Sequence, residues 1–360
     1  MNSDGVDRII QGDSLEVSRG LGAGSVHCVV TSPPYWGLRD YGTALWEGGD
    51  PQCDHQPPDD TGMTTKPSSG QRQHAGRFFG DTCWKCGARR IDKQLGLEKT
   101  PEEYVSKLVE ILHEVKRVLR DDGTLWLNLG DSYAAHNGGS NGYNDGRANR
   151  DKRRAPGIPP SLKAKDLVGI PWRVALALQA DGWWLRSDII WHKPNPMPES
   201  VRDRCTKSHE YIFMLSKSKK YYYDADAIKE ASTGQSGAAS NFKRDTKDHV
   251  IPGQAVSQHR LDRNPTSDNG GRNKRDVWTV TTKPFKGAHF AVFPPDLIRP
   301  CVLAGCPKDG IVLDPFIGSG TVGIVAKQER RHYLGIELNS EYAEMARARI
   351  KKEAPMDRLV

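Results

Sequence analysis

Long apolar runs are absent from this sequence, and so are the features of an exported protein. No apolar run approaches the roughly 20 residues that span a bilayer, and residues 1–10 lack the hydrophobic segment of a signal peptide. The 7 Cys residues cannot all pair, and two of them form a Cys-x-x-Cys motif, which favours metal binding over a disulfide framework. We therefore expect a cytoplasmic protein in a reducing compartment, with no membrane partner.

The composition favours an α/β core with many polar loops. A chain of 360 residues can bury such a core, either as one domain with insertions or as two domains. Its 36 Gly, 23 Pro and mean hydropathy of -0.65 indicate extensive loops. The net charge of +7 suits a polyanionic partner, although many proteins without such a partner are equally basic.

Apolar periodicity predicts strands that alternate with helices, as in an α/β sheet. The best-marked helix follows Thr100, which can cap it, while Glu103 completes a capping box and Gly123 ends the helix. The predicted strands are Arg8–Gln11, Ser25–Val30, Thr124–Leu129, Trp184–Trp191, Tyr211–Leu215, Ile311–Leu313 and His332–Ile336. The other predicted helices are Val174–Ala180, Pro295–Cys306, Val322–Gln328 and Glu341–Lys351.

Two short motifs stand out, each directly after an apolar run that ends in a turn. The first is Thr31-Ser32-Pro33-Pro34-Tyr35-Trp36, and the second is Asp314-Pro315-Phe316-Ile317-Gly318-Ser319-Gly320-Thr321. A loop at the carboxyl end of a sheet strand has this form. We expect the two loops to form one crevice.

The two motifs resemble the catalytic and S-adenosylmethionine loops of the amino-group DNA methyltransferases, in the permuted beta-group, where the catalytic loop comes first. The resemblance implies a Rossmann-like α/β sheet that binds S-adenosyl-L-methionine, with a circularly permuted motif order and a target-recognition region. It also implies double-stranded DNA as the substrate, with the target base flipped out of the duplex, in a restriction-modification setting. A cognate restriction endonuclease as partner stays an open question, as does the choice between monomer and homodimer.

The form of the first motif bears on which base is methylated. Ser32-Pro33-Pro34-Tyr35 looks like the cytosine-N4 version, whereas adenine-N6 members more often begin this motif with Asp or Asn. Adenine N6 is therefore the alternative. A methyltransferase for RNA or for a protein amide is a further alternative, and the long basic segment disfavours the amide substrate. A zinc-containing DNA-binding protein without activity is another, which the two intact motifs disfavour.

The first motif carries the residue types that methylation of a base amine needs. An exocyclic amine is a poor nucleophile because its lone pair is delocalised into the base. By resemblance, the Ser32 side chain and the Pro33 carbonyl accept the amine hydrogens, and Tyr35 stacks on the base. Pro33 and Pro34 have fixed φ values and can aim a carbonyl with little entropy left to lose. An ordinary turn after a strand is the other explanation for the Pro-Pro pair.

The second motif has the features of a cofactor-binding turn. Gly318 and Gly320 let a backbone pass close to a ligand, and Ser319 and Thr321 can cap the next helix. Glu337 follows about 20 residues later, where an acidic side chain can bind ribose hydroxyls. The turn lacks the Gly-Lys-Ser/Thr ending of a P-loop. The negative charge of Asp314 at its start suits a cationic sulfonium better than an anionic phosphate. By resemblance, the cofactor-binding residues are Asp13, Phe290, Asp314, Pro315, Phe316, Gly318, Ser319, Gly320, Thr321 and Glu337.

A second set of residues has the spacing of a structural zinc site. Cys83-Trp84-Lys85-Cys86-Gly87 has the form of a zinc knuckle, and Cys53 and His55 can supply the other two ligands. Such a site would order the polar insertion after the first motif. His74 is an alternative to His55, and free thiols in a loop are the other explanation.

Composition and motifs together divide the chain into five segments. Residues 1–47 are the first part of the core with the catalytic loop, and residues 48–98 are the insertion with the zinc knuckle. Residues 99–223 continue the core and contain a basic loop at 137–165. Residues 224–283 are the target-recognition region, and residues 284–360 are the cofactor-binding part of the core. The basic runs at 147–154 and 243–275 can neutralise DNA phosphates.

Cys301 follows a proline, like the nucleophile of ring-carbon methyltransferases, but we expect a packed thiol because it lies in a predicted helix.

Overall fold

A computed structural model describes residues 5–37, 43–55, 82–134, 158–231, 271–282 and 293–354. These residues form ten strands and six α-helices. The strands are β1 (Arg8–Gln11), β2 (Val26–Thr31), β3 (Leu45–Glu47), β4 (Arg89–Ile91), β5 (Leu119–Leu129), β6 (Trp184–His192), β7 (His209–Ser216), β8 (Val277–Thr279), β9 (Ile311–Asp314) and β10 (His332–Glu337). The helices are α1 (Ser14–Gly20), α2 (Pro101–Val118), α3 (Ile170–Ala180), α4 (Pro295–Gly305), α5 (Thr321–Gln328) and α6 (Ser340–Glu353).

Eight strands form one mostly parallel sheet in the order β1-β10-β9-β2-β5-β7-β6-β8. β7 runs antiparallel to both of its neighbours, and the other adjacent pairs are parallel. The predicted α/β fold is confirmed. This order places β2, which precedes the first motif, directly beside β9, which precedes the second.

Helices cover both faces of the sheet because side chains alternate between the two faces of each strand. Cys28 and Val30 of β2 pack with α4, α5 and α6 on one face, whereas Val29 packs with α2 and α3 on the other. The central strands are thus buried on both sides, which explains their nearly continuous apolar runs. No helix within these ranges is long and apolar enough to cross a bilayer.

Helix α2 begins where the sequence predicts but ends earlier. The Thr100 side chain accepts from the backbone N–H of Glu103 at 3.2 Å, so the predicted cap is confirmed. The predicted end at Gly123 is wrong, because α2 ends at Val118 and Gly123 lies within β5. Leu119 leaves the helix to pair with β2 and is fully buried there. Glycine at 123 serves close packing, since a β-carbon would lie 2.5 Å from the Leu119 side chain.

Four short elements are present that the sequence did not reveal. They are α1 and the strands β3, β4 and β8, each strand being three residues long. A three-residue strand has no periodicity to detect. β3 and β4 form a separate two-stranded hairpin, and β8 extends the main sheet from within residues 224–283.

Candidate active site

The two motifs lie side by side at the carboxyl edge of the sheet. β2 and β9 are adjacent parallel strands, with Val29 in register with Leu313. At their ends, the Thr31 hydroxyl donates a buried hydrogen bond of 2.6 Å to the Asp314 carboxyl. The expected juxtaposition of the Ser32 loop (residues 32–37) and the Gly318 loop (residues 315–320) is therefore confirmed.

The Gly318 loop is fastened to Glu337, at the end of β10. The Gly318 N–H donates to one carboxylate oxygen of Glu337, and the Asn339 N–H donates to the other, both at 2.9 Å. Gly318 and Gly320 have φ values of 48° and 83°, in the left-handed region that favours glycine. At Gly320 a β-carbon would also lie 3.0 Å from Ala346. Glycine is therefore required by the path of the loop itself.

The Ser319 and Thr321 side chains do not cap α5, so this prediction is wrong. The N-cap residue is Gly320, and no side chain accepts from the first amides of the helix. Both hydroxyls instead accept from the Arg349 guanidinium of α6, at 3.1 and 3.0 Å. Both side chains are buried. They link two helices because the left-handed turn at Gly320 directs them toward α6.

Two buried carboxyl groups give this edge of the sheet an acidic character. Burial raises the pKa of Asp314 to about 7; hydrogen bonds from Thr31 and the Phe316 N–H oppose the rise, and the charge of Glu337 adds to it. Burial also raises the pKa of Glu337, against its backbone hydrogen bonds. Neither carboxyl forms an ion pair with a described residue. A bound cation would favour the ionised form of both groups.

A chain of hydrogen bonds leads from Ser32 to a partly buried ion pair. The Ser32 hydroxyl donates to the Tyr35 hydroxyl at 3.4 Å, and the Tyr35 hydroxyl donates to Glu210 at 2.9 Å. Glu210 is also paired with Lys193, and Asn128 offers Tyr35 a second acceptor at 3.1 Å. Burial and then the charge of Glu210 raise the pKa of Tyr35 well above its usual range. Tyr35 therefore keeps its proton and can donate it to the carboxylate.

The rest of the Ser32 loop is held by α2 and the segment before it. The Tyr104 hydroxyl donates to the Pro34 carbonyl, and the Trp36 indole donates to the Glu98 carbonyl, both at 2.9 Å. The Pro33 carbonyl accepts no hydrogen bond from the part of the chain that the structure describes. The carbonyl of this buried residue therefore has no donor among the described residues.

Two further predicted cofactor residues, Asp13 and Phe316, lie beside the same loop or within it. Asp13 caps α1 by accepting from two backbone N–H groups of its first turn, both at 3.0 Å. The neighbouring Ser14 hydroxyl donates to the Pro315 carbonyl at 2.5 Å, which ties the start of α1 to the Gly318 loop. Phe316 packs against the core on the α2 face. Phe290 lies outside the described residues.

Comparison with known proteins identifies the family. A family model described as DNA methylase, for the N6/N4 class, matches residues 26–348. The chain belongs to the N6/N4 DNA methylase family. The resemblance seen in the two motifs is thereby confirmed, and the chain is an amino-group DNA methyltransferase.

Relatives of this methylase match it over nearly its full length. Type II methyltransferase M.Cfr9I of Citrobacter freundii is 44% identical over 346 residues, covering 96% of this chain and 88% of its own. Type II methyltransferase M.SmaI of Serratia marcescens is 44% identical over 347 residues, covering 95% of this chain and 90% of its own.

Solved structures share the fold of the methylase at low sequence identity. TTHA0409 of Thermus thermophilus, solved in complex with S-adenosyl-L-methionine, has a TM-score of 0.53 and 21% identity, covering 98% of this chain and 96% of its own. The PvuII DNA methyltransferase, a cytosine-N4-specific enzyme, has a TM-score of 0.53 and 16% identity, covering 96% of this chain and 90% of its own.

Sequence reasoning missed the residues of the methylase that hold Tyr35. Glu210 lies near the start of β7 and Lys193 directly follows β6, so neither belongs to a motif. Charged residues at strand ends are common, which makes this signal weak. Asn128 has a clearer signal, because it is a polar residue within the otherwise apolar run 125–129, where it is buried.

Two predictions about cysteine can be compared with the methylase structure. Cys301 is fully buried in α4, so the expected packed thiol is confirmed, and burial raises its pKa. The four predicted zinc ligands, Cys53, His55, Cys83 and Cys86, come together with all ligand atoms within 4.8 Å of one another. His74 lies outside the described residues.

Proposed function

We propose that this methylase transfers the methyl group of S-adenosyl-L-methionine to the exocyclic N4 amine of cytosine in double-stranded DNA. The observation that carries the proposal is the direct contact between Thr31 and Asp314, the last residues of the two strands that lead into the Ser32 loop and the Gly318 loop. The Ser-Pro-Pro-Tyr form of the first motif favours cytosine. Adenine N6 is the competing target on the same scaffold.

The Gly318 loop fits a cationic cofactor. Asp314 and Glu337 are acidic groups that form no ion pair with a described residue, and a sulfonium or an α-amino group nearby would stabilise their ionised forms. S-adenosyl-L-methionine, when bound, supplies an electrophilic methyl group on a positively charged sulfur. TTHA0409, which has the same fold, was solved with this cofactor. The residues to which we assign its binding are Asp13, Phe290, Asp314, Pro315, Phe316, Gly318, Ser319, Gly320, Thr321 and Glu337.

The direction of the hydrogen bonds leaves Ser32 as an acceptor. A hydroxyl has one hydrogen and two lone pairs. Ser32 donates its hydrogen to Tyr35, and Tyr35 donates to Glu210, so the lone pairs of Ser32 are left for a hydrogen of the target amine. The Pro33 carbonyl, which accepts from no described residue, takes the second amine hydrogen. Two such acceptors draw the amine hydrogens out of the base plane and localise the nitrogen lone pair.

The transfer then follows from this alignment. The nitrogen lone pair forms the new N–C bond while the S–C bond breaks, and sulfur keeps the bonding pair and becomes neutral. The methylated nitrogen afterwards releases one proton to solvent water. Tyr35, held by its hydroxyl, offers its ring as a stacking surface for the flipped base. Residues 224–283 are the proposed target-recognition region, most of which lies outside the described residues.

The test uses methyl-labelled S-adenosyl-L-methionine and unmethylated genomic DNA. The DNA is digested to nucleosides, and the labelled species is identified by mass spectrometry. N4-methylcytosine would support the proposal, whereas N6-methyladenine would retain the scaffold and overturn the assigned base. A protein that binds the cofactor but labels no nucleoside would overturn the DNA substrate.

A further inference from the structure

We propose that Cys53, His55, Cys83 and Cys86 bind one zinc ion in a tetrahedral site, and that this ion supports the Ser32 loop through the β3–β4 hairpin. The metal assignment is independent of the methylated base. Its effect on methyl transfer rests on the proposed function.

Two distances between ligand atoms match those of a zinc tetrahedron, and all four ligand atoms lie within 4.8 Å of one another. The sulfurs of Cys53 and Cys83 are 3.8 Å apart, and the Cys86 sulfur is 3.5 Å from Nδ1 of His55. Zinc lies about 2.3 Å from a thiolate and about 2.0 Å from an imidazole nitrogen, so tetrahedral angles place two sulfurs about 3.8 Å apart and a sulfur and a nitrogen about 3.5 Å apart. The four groups are therefore already arranged around the position of one ion.

The backbone around the ligands is bent into the turns that such a site needs. The Gly87 N–H donates to the Cys83 carbonyl at 2.9 Å and closes the turn that carries two ligands. Gly49 has a φ of 72°, and a β-carbon there would lie 2.8 Å from the Cys86 sulfur. The ring of His55 stacks on Trp46 of β3, with centroids 4.7 Å apart.

Electrostatics also fit a bound thiolate cluster. Zinc with three thiolates and one neutral imidazole carries a net negative charge. Lys85 lies within the Cys-x-x-Cys turn, and its ammonium group pairs with Asp54 at 2.6 Å. A positive charge beside a thiolate cluster stabilises its anionic form.

The hairpin formed by β3 and β4 is small. Its strands are three residues each, and among the described residues they pair with one another and, through a single bridge from Arg89, with Thr82. A two-stranded hairpin alone is marginal in water, because it buries few apolar groups. The proposed ligands tie the chain after β3 to the chain before β4, and Cys53 and Cys83 are 30 positions apart. A metal crosslink across such a loop stabilises the folded form strongly.

The hairpin continues directly into the segment that contacts the Ser32 loop. After β4, the Asp92 carboxylate accepts from Thr43 and from Arg90, which fixes the exit of the hairpin. The Gly96 carbonyl then accepts from the Gly37 N–H at 2.8 Å. At Gly96 a β-carbon would lie 2.9 Å from the backbone carbonyl oxygen of Tyr35. Loss of the ion would therefore loosen a segment in direct contact with the Ser32 loop.

The first experiment measures metal in the full chain, purified under reducing conditions without added metal. We expect about one zinc per chain by plasma emission spectrometry. The Cys86→Ser variant should lose at least nine-tenths of this zinc, whereas Cys205→Ser, at an exposed cysteine outside the cluster, should retain it. Wild-type protein that neither contains zinc nor takes it up from zinc salt would overturn the site, as would full zinc in Cys86→Ser.

A substitution of the histidine separates ligation from packing. His55→Cys keeps a zinc ligand, so it should retain zinc. After the zinc is exchanged for cobalt, this variant should show stronger thiolate-to-cobalt charge-transfer absorption than wild type, because its metal ion has four sulfur ligands instead of three. Unchanged cobalt absorption in His55→Cys would show that His55 is not a ligand.

The effect of the ion on the Ser32 loop is measured by turnover, separately from the metal content. Zinc-depleted protein should bind S-adenosyl-L-methionine with unchanged affinity, while its turnover falls at least about tenfold, because the loop is misplaced. Restoring zinc should restore turnover. Equal turnover with and without the ion would overturn the supporting role while leaving the metal assignment intact. A wild-type protein with zinc but no activity on DNA would count against the proposed function alone.

Discussion

The buried carboxyl of Asp314 should make the stability of the methylase depend on pH in a direction unusual for an acidic residue. Its pKa in the folded protein is about 7, against an ordinary value of 3.8. Between these two pH values the folded protein holds a proton that the unfolded chain has released, so stability falls as the pH rises. The difference corresponds to about 4 kcal/mol, present in full below about pH 4 and lost above about pH 7.

The substitution Asp314→Asn isolates this effect. The Thr31 hydroxyl and the Phe316 N–H both donate to the same oxygen of Asp314, at 2.6 and 3.0 Å, so the oxygen of an asparagine amide can accept both. The amide does not titrate, and its extra N–H group adds a cost that is independent of pH. The wild-type free energy of unfolding, minus that of the variant, should therefore fall by about 1.4 kcal/mol per pH unit between pH 4 and pH 7.

Urea unfolding of both proteins without cofactor, at intervals from pH 4.5 to pH 8.5, measures this slope. The difference should decline up to about pH 7 and then become level. The other titrating groups are common to the two proteins, so their contributions cancel except at Glu337, whose charge acts on Asp314. A difference that stays constant across the whole range would refute the reasoning, whatever the absolute stability of the variant.

Further variants test the site and its framework. Ser32→Ala should lower turnover about a hundredfold and leave cofactor affinity by calorimetry unchanged, because one amine acceptor is lost; normal turnover would contradict its role. Glu210→Gln and Tyr35→Phe should each lower turnover about tenfold, and the double variant should be no worse than either single variant if both act through one hydrogen-bond chain. The Gly335→Ala variant should have a free energy of unfolding in urea about 1–3 kcal/mol below that of wild type, because its β-carbon would lie 2.3 Å from a side chain of the Gly318 loop. The control variant Gly22→Ala should unfold like wild type, because the nearest atom would lie 3.8 Å from its β-carbon.

The sequence by itself determined the alternation of helices and strands and the position of both motifs. Short, nearly continuous apolar runs report which strands are buried, and Thr100 with Glu103 marks a helix start, because these signals act between residues close together in the chain. The same local reasoning failed at Gly123 and at Ser319. A glycine that serves packing looks like one that ends a helix, and a hydroxyl near a helix start does not reveal that Arg349 will bind it.

Only the tertiary structure decided which distant residues meet at the site. Thr31 and Asp314 are 283 positions apart, and Tyr35 and Glu210 are 175 positions apart. Their contacts follow from the order of strands in the sheet, which sets β2 beside β9 and β5 beside β7. That order depends on how all helices and strands pack together, so no local pattern encodes it. The two motifs could therefore indicate the chemistry, whereas the residues that orient Tyr35 and raise the pKa of Asp314 became visible only in the folded chain.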